Sequence, residues 1–324
     1  KAYPKHNIKR VDRLLGNLEL HKESRFFYRA IARLMIGTRK RPLVVIDWTG
    51  VGKRHSALVA AVPVDGRSIP IFCKVYSIKK NNNPVIHKHF LKELRSILPQ
   101  GCRPIIVTDA GFSNAWFFDV VAWGWDFVGR IITNARARTL DNREWFPVLA
   151  LYERATFVAK DLGLFVISKA TPAVLRLVII KEKKKRPKTL RIGSRPSAVA
   201  RKRAQQPWLL ATSLAETSAK KVVGIYATRM QIEEFFRDAK SLRYGFCFRH
   251  ARSNSRDRIE ILMLIAAIGT LALNVIGNCG ERCALQKRYQ ANTVKSHRVL
   301  SLFYLGRNMI LFGHDDNFSA HELR

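Results

Sequence analysis

Apolar residues recur at helical spacing through the amino-terminal stretch: Val11, Leu14, Leu15, Leu18 and Leu20, then Phe26, Phe27, Ala30, Ile31 and Leu34. Arg41-Pro42 ends that pattern, because the residue before a proline is pushed out of the helical region. The pattern then changes. Leu43 to Trp48, Leu58 to Val64 and Ile69 to Tyr76 are short β-rich runs separated by Gly50, Gly52, Asp65 and Gly66, which predicts three consecutive antiparallel strands. A helical pattern covers Val85 to Leu98 and stops at Pro99. A buried strand is predicted at Pro104 to Thr108, a helix at Asn114 to Ala122 and a strand at Asp126 to Ile132.

Three strands, a helix, a strand, a helix and a strand is the order of a ribonuclease H-like α/β fold, a mixed five-stranded sheet with helices. From about residue 133 to 206 the text reads differently. Short apolar runs at Thr156 to Ala159, Leu164 to Ser168 and Leu175 to Ile180 precede a strongly basic stretch, Lys181 to Arg203. Two readings fit that stretch, a solvated loop or a loop that tracks DNA. Trp208 to Ser213 is expected to be a strand, and Ser218 to Lys240 a single long helix ended by the loop around Gly245. A further helix begins near Arg256.

Composition narrows the partners. The chain has 324 residues with 58 Lys and Arg against 24 Asp and Glu, a formal charge of +34. Confining that charge in a folded body is unfavourable unless an anion neutralises it, and nucleic acid is the usual one. A membrane partner is not expected: the apolar run Ile261 to Ile276 is interrupted by Thr270 and Asn274 and is shorter than the roughly 20 residues a bilayer needs. It is expected to be a buried core helix. No signal peptide is read at Lys1, and the absent initiator Met points to residues upstream. Five cysteines, with Cys279 and Cys283 the one close pair, fit a reducing cytoplasm and no structural zinc.

The acids carry the chemistry. Asp47 follows the apolar run Val44-Val45-Ile46, and Asp109 follows Ile105 to Thr108. Either one alone reads as a strand end turning into solvent, or, for Asp109, as a helix cap. Two acids in the same context are better read as ligands for divalent cations, which take hard oxygen donors. The third candidate is Glu233. At about 100° per residue, Tyr226, Arg229, Glu233 and Lys240 fall within an arc of about 60° on a continuous helix, and Glu234 points elsewhere. An ordinary salt-bridged face would explain Arg229 and Glu233. Tyrosine, arginine and lysine beside one acid make more sense as phosphate binders next to a metal ligand.

The spacing Tyr226-x2-Arg229-x3-Glu233-x6-Lys240 resembles the signature helix of the insertion-sequence-4 family of bacterial transposases, and the stretch Arg229 to Lys240 is especially similar to the insertion-sequence-10 branch. Supporting blocks are His6 to Asn17, Val45 to Trp48, Thr108 to Phe112, Pro207 to Leu210 and Gln290 to Val294. The resemblance implies a catalytic core in two parts, 41–132 and 207–278, interrupted by a β-rich basic insertion at 133–206. It also implies a helical region at 1–40, the end of a truncated DNA-binding domain, and a C-terminal helical region at 279–324. The implied activity is cut-and-paste transposition: strand nicking, hairpin formation, hairpin opening and strand transfer. Asp47, Asp109 and Glu233 would hold two Mg2+ ions, with Mn2+ able to substitute. Tyr226, Arg229 and Lys240 would hold a phosphate. Trp208 matches a base-stacking tryptophan and Met230 a wedge, although a core tryptophan and a helix-packing methionine are equally simple readings. The implied partners are terminal inverted repeats and target DNA, handled by a homodimer in the cytoplasm.

Three other functions compete. A truncated or inactive transposase that only binds DNA shares the charge but needs none of the acids. A basic RNA-binding protein predicts no metal requirement, and a junction resolvase leaves the phosphate-binding residues and the insertion unexplained.

Overall fold

The computed structural model describes residues 3–181, 206–242, 245–248, 253–291, 293–294 and 296–313. In chain order the elements are α1 (Pro4–Leu15), α2 (Leu18–Ile36), β1 (Leu43–Val51), β2 (His55–Val64), β3 (Arg67–Ser77), α3 (Pro84–Ile97), β4 (Ile105–Thr108), α4 (Asn114–Ala122) and β5 (Asp126–Arg130). There follow β6 (Arg136–Arg138), β7 (Phe146–Pro147), β8 (Lys160–Ile167), β9 (Ala173–Ile180), β10 (Trp208–Thr212), α5 (Ala219–Ala227), α6 (Met230–Lys240), α7 (Arg256–Arg282), α8 (Gln286–Tyr289) and α9 (Leu302–Leu311). The chain divides into two compact units, one of residues 1–102 with 228–324, the other of residues 103–227.

In the first unit β1, β2 and β3 form the expected antiparallel meander. The turn between β2 and β3 is Asp65-Gly66, both with positive φ, the backbone a two-residue hairpin requires. The Asn17 side chain starts α2 by accepting the Glu19 and Leu20 amides, and Asn83 caps α3 ahead of Pro84 in the same way. The apolar run predicted to be a core helix lies in α7. By length and composition α7 could cross a membrane. Here it packs against β3, α2 and α9, and it buries Glu260, Thr270 and Asn274 along with its aliphatic residues. Glu260 is an anchor: its carboxylate accepts the Val75 amide at 3.1 Å and lies 3.8 Å from Lys74 Nζ and 3.5 Å from His21 Nε2. Close approach of α7 and α9 depends on glycine. A Cβ on Gly277 would stand 2.0 Å from the Leu302 carbonyl oxygen, and one on Gly306 2.1 Å from that of Leu273.

In the second unit β4 and β5 pair in parallel, and β10 runs antiparallel to β5. Phe117 of α4 stacks on Phe127 at 4.3 Å over Gly129, which has no room for a side chain. The segment 133–206 supplies β6 to β9, and its hairpin β8–β9 hydrogen-bonds directly to β10. Of its predicted runs, Leu164 to Ser168 and Leu175 to Ile180 fall in β8 and β9. Thr156 to Ala159 forms no strand; β8 begins at Lys160. The basic stretch that begins at Lys181 lies, from residue 182 onward, outside the described residues.

Candidate active site

Asp47 does not end its strand. β1 continues to Val51, paired with β2 through His55, so Asp47 sits mid-strand and is only 6% exposed. The β-rich run read from the sequence stopped at Trp48, ahead of Thr49 and Gly50, but backbone pairing continues to Val51. A buried carboxylate is costly without partners, and Asp47 has them: Oδ1 accepts the Trp48 amide at 2.8 Å, and Oδ2 accepts Arg229 Nη1 at 2.9 Å. The same Arg229 nitrogen donates to Glu233 Oε1 at 3.2 Å. Two carboxylates from a strand and a helix therefore converge on one cationic nitrogen. Thr49, two residues on and so on the same face of β1, accepts Lys240 Nζ at 2.6 Å. Asp47, Thr49, Arg229, Glu233 and Lys240 thus form one cluster within the first unit.

The predicted helix Ser218 to Lys240 is not continuous. It breaks at Thr228-Arg229, where Gln231 and Ile232 donate to carbonyls three residues back rather than four. No glycine or proline marks the place. The continuous helix on which that stripe was read is therefore interrupted between Arg229, Glu233 and Lys240 on one side and Tyr226 on the other, the penultimate residue of α5 and buried within its own unit. There its ring meets Trp208 edge-on, centroids 4.9 Å apart. Met230 is 51% exposed, so it does not fill a core, and its sulfur accepts Arg229 Nη2 at 3.5 Å. Asp109 follows β4 in the second unit. Its Oδ1 accepts the Gly111 amide at 2.8 Å, a local turn, while Ser113 rather than Asp109 stands at the α4 N-cap.

Three features escaped the sequence reading. Arg67 at the start of β3 ties down α6, with Nε 2.8 Å from Asp238 and Nη1 3.1 Å from Glu234. Burial pushes the Asp238 carboxyl up, against the pull of Arg67. Second, His21, Asp257 and Glu260 bring ligand-type atoms within 4.8 Å of one another, but Lys74 and the Val75 amide already serve Glu260. Third, Trp48 Nε1–H donates to His87 Nε2 at 3.0 Å, which puts the neutral ring's proton on Nδ1. A lone histidine on a helix carries no sequence signal of this kind.

Burial lowers the His87 pKa to about 4. The unfolded chain, with the usual value near 6.5, binds this proton more readily. The stability that neutral His87 contributes is complete above pH 6.5 and is lost as pH falls towards 4. The loss is on the order of 3 kcal/mol. Melting temperatures of the wild type and His87→Leu between pH 7.5 and 4 should therefore converge on acidification. A constant gap would show that His87 does not titrate on unfolding.

The donor set suits a hard divalent cation. Asp47 and Glu233 offer carboxylate oxygens to a single point, and a guanidinium nitrogen already occupies a cationic position between them. A basic α/β protein with paired carboxylates, a lysine and an arginine on one strand and one helix is of the class that acts on phosphodiesters. The transposase DDE domain model matches residues 38–274, and the chain belongs to that family. No curated protein compared with the chain matches it. Members of the family are DNA-acting transposases, nucleases and strand transferases that use divalent metal ions, and the mixed strands and helices are consistent with a ribonuclease H-like transposase fold.

Proposed function

We propose that the protein is a cut-and-paste transposase of the insertion-sequence-4 type, closest to the insertion-sequence-10 branch. In this reading Asp47, Asp109 and Glu233 are its metal ligands. The observation that carries it is the convergence of Asp47 and Glu233 on Arg229 Nη1, with Lys240 alongside. Asp109 enters on its place directly after the apolar strand β4 within the family-matched region. Divalent ions, two Mg2+ per site with Mn2+ able to substitute, would supply Lewis-acid stabilisation and an activated nucleophile.

The chain's own groups do the rest. Arg229 supplies a planar fork and Lys240 a point charge to a phosphate, and both sit where the acids converge. Tyr226 adds a hydroxyl, Trp208 a stacking surface for an extruded base, and exposed Met230 a wedge. Water attacks first, the freed 3′ hydroxyl closes a hairpin on the opposite strand, water reopens it, and the 3′ end joins target DNA. The reading includes a homodimer on paired terminal repeats and a cytoplasmic site of action.

A supercoiled plasmid carrying the matched transposon end, incubated with the full chain and Mg2+ or Mn2+, tests this. Nicked and hairpin products are expected. A gel shift with neither product would instead make the chain a catalytically silent DNA binder.

A further inference from the structure

Beside the acid cluster lies a cavity of about 710 Å3 within the first unit. Its walls come from the end of β1 and the turn after it (Gly50, Lys53), the last residue of α6 (Lys240), and Phe248, Ser253 and Leu262 from the loop before α7 and from α7 itself. The volume lies in the range of small-ligand sites and is far too small for a double helix.

Each wall has distinct chemistry. Lys53 and Lys240 bring two cations to the lining, and Lys240 is held there by its hydrogen bond to Thr49 Oγ1. Phe248 and Leu262 give an aromatic and aliphatic surface. Ser253 Oγ is buried and has no hydrogen-bond partner among the described residues, an uncommon state for a buried hydroxyl. Gly50, also in the lining, borders open space: a Cβ added there would meet nothing within 4 Å. Two cations, an apolar wall and an unspent hydroxyl match the phosphate, the base face and the base edge of a nucleotide. The phosphate goes to the lysines, the base lies on Phe248, and a base-edge polar group meets Ser253.

We infer that this cavity binds one unpaired nucleotide of a DNA strand, held beside Asp47. The inference rests on the transposase reading for its ligand and adds a second place, apart from Trp208, where a base leaves the stack. Its role is to hold the strand bent where it enters the acid cluster, because a nucleotide seated here cannot remain in a helix.

The test uses the full chain without divalent ions, so that binding is read independently of chemistry. The probes are fluorescein-labelled oligothymidylate of twelve residues, a twelve-base-pair duplex and free thymidine monophosphate. Gly50→Phe adds a bulky ring to the lining at a position with open space beside it. It is expected to weaken the single strand tenfold or more while duplex binding stays within twofold, and Ser253→Ala to weaken the single strand about threefold. A 5-iodouracil-substituted strand should crosslink to the peptide containing Phe248. Single-strand affinity unchanged in both variants, equal loss of single strand and duplex, or crosslinking elsewhere would overturn the assignment. So would displacement of the strand by thymidine monophosphate at equal concentration, which would make this a site for free nucleotides. Melting temperatures report whether Gly50→Phe folds, and Ser253→Ala carries the test if it does not. A wild-type chain that fills this cavity yet never nicks plasmid sinks the catalytic reading alone. Nicking with an unaltered Gly50→Phe sinks only the cavity.

Discussion

Asp47→Ala is expected to remove strand cleavage by much more than a hundredfold while DNA retention in a gel is kept. Loss of a partner that merely orients a metal ligand already costs ten- to a hundredfold, and Asp47 is the buried half of the convergent pair. Duplex retention should survive, because it is carried by a chain of net charge +34, to which the substitution adds one more positive unit. Folding is the complication, since Arg229 loses one of its two carboxylates. Asp47→Asn separates the effects: it keeps the volume and one oxygen, and it should fold like the wild type yet remain inactive. Cleavage within tenfold of wild type by folded Asp47→Asn would remove Asp47 from the chemistry.

Gly306→Val should be the most destabilising single substitution on the α7–α9 contact. In an exposed helix, replacing glycine usually helps, by up to about 1 kcal/mol for alanine. Here the sign reverses, because the first added carbon would sit 2.1 Å from the Leu273 carbonyl oxygen. Backbone has no rotamer with which to yield, so α9 must move away, exposing Phe303, Leu305 and Met309, all now buried. A cost of about 3 kcal/mol or more follows, a drop in melting temperature on the order of 5 °C. Gly224→Ala, in α5 with open space at its Cβ, is the control and should be neutral or stabilising. Equal melting temperatures for Gly306→Val and the wild type would mean that the two helices do not touch as described.

Much of the architecture was legible because it rests on local signals. β-rich runs and the turn residues between them mark β1 to β3, helical spacing over Val85 to Leu98 marks α3, and Asn114 to Ala122 is a helix over the expected residues. What escaped depends on distance. The break at Thr228-Arg229 has no helix-breaking residue, so periodicity ran straight across it and treated Tyr226 and Lys240 as parts of one continuous helix. The partner of Asp238 is Arg67, 171 positions away, and nothing in either neighbourhood announces the other. Gly277 and Gly306 look like weak points in helices until the facing carbonyl is seen. Asp47 and Glu233 stood out in the sequence because few residue types serve a hard cation, whereas their shared partner Arg229 required geometry.

The long apolar helix α7 has a consequence for how the protein is made. Emerging alone from a ribosome, a segment of this length and composition is what membrane-targeting machinery selects. Two of its partners, α2 and β3, are encoded earlier in the chain, and α9 comes later. A receptive surface therefore stands ready when α7 is synthesised, and Glu260 near its start meets Lys74 and the Val75 amide on β3. Gene order here works as a safeguard: the segment most easily mistaken for a membrane anchor is translated after the surfaces that will hide it.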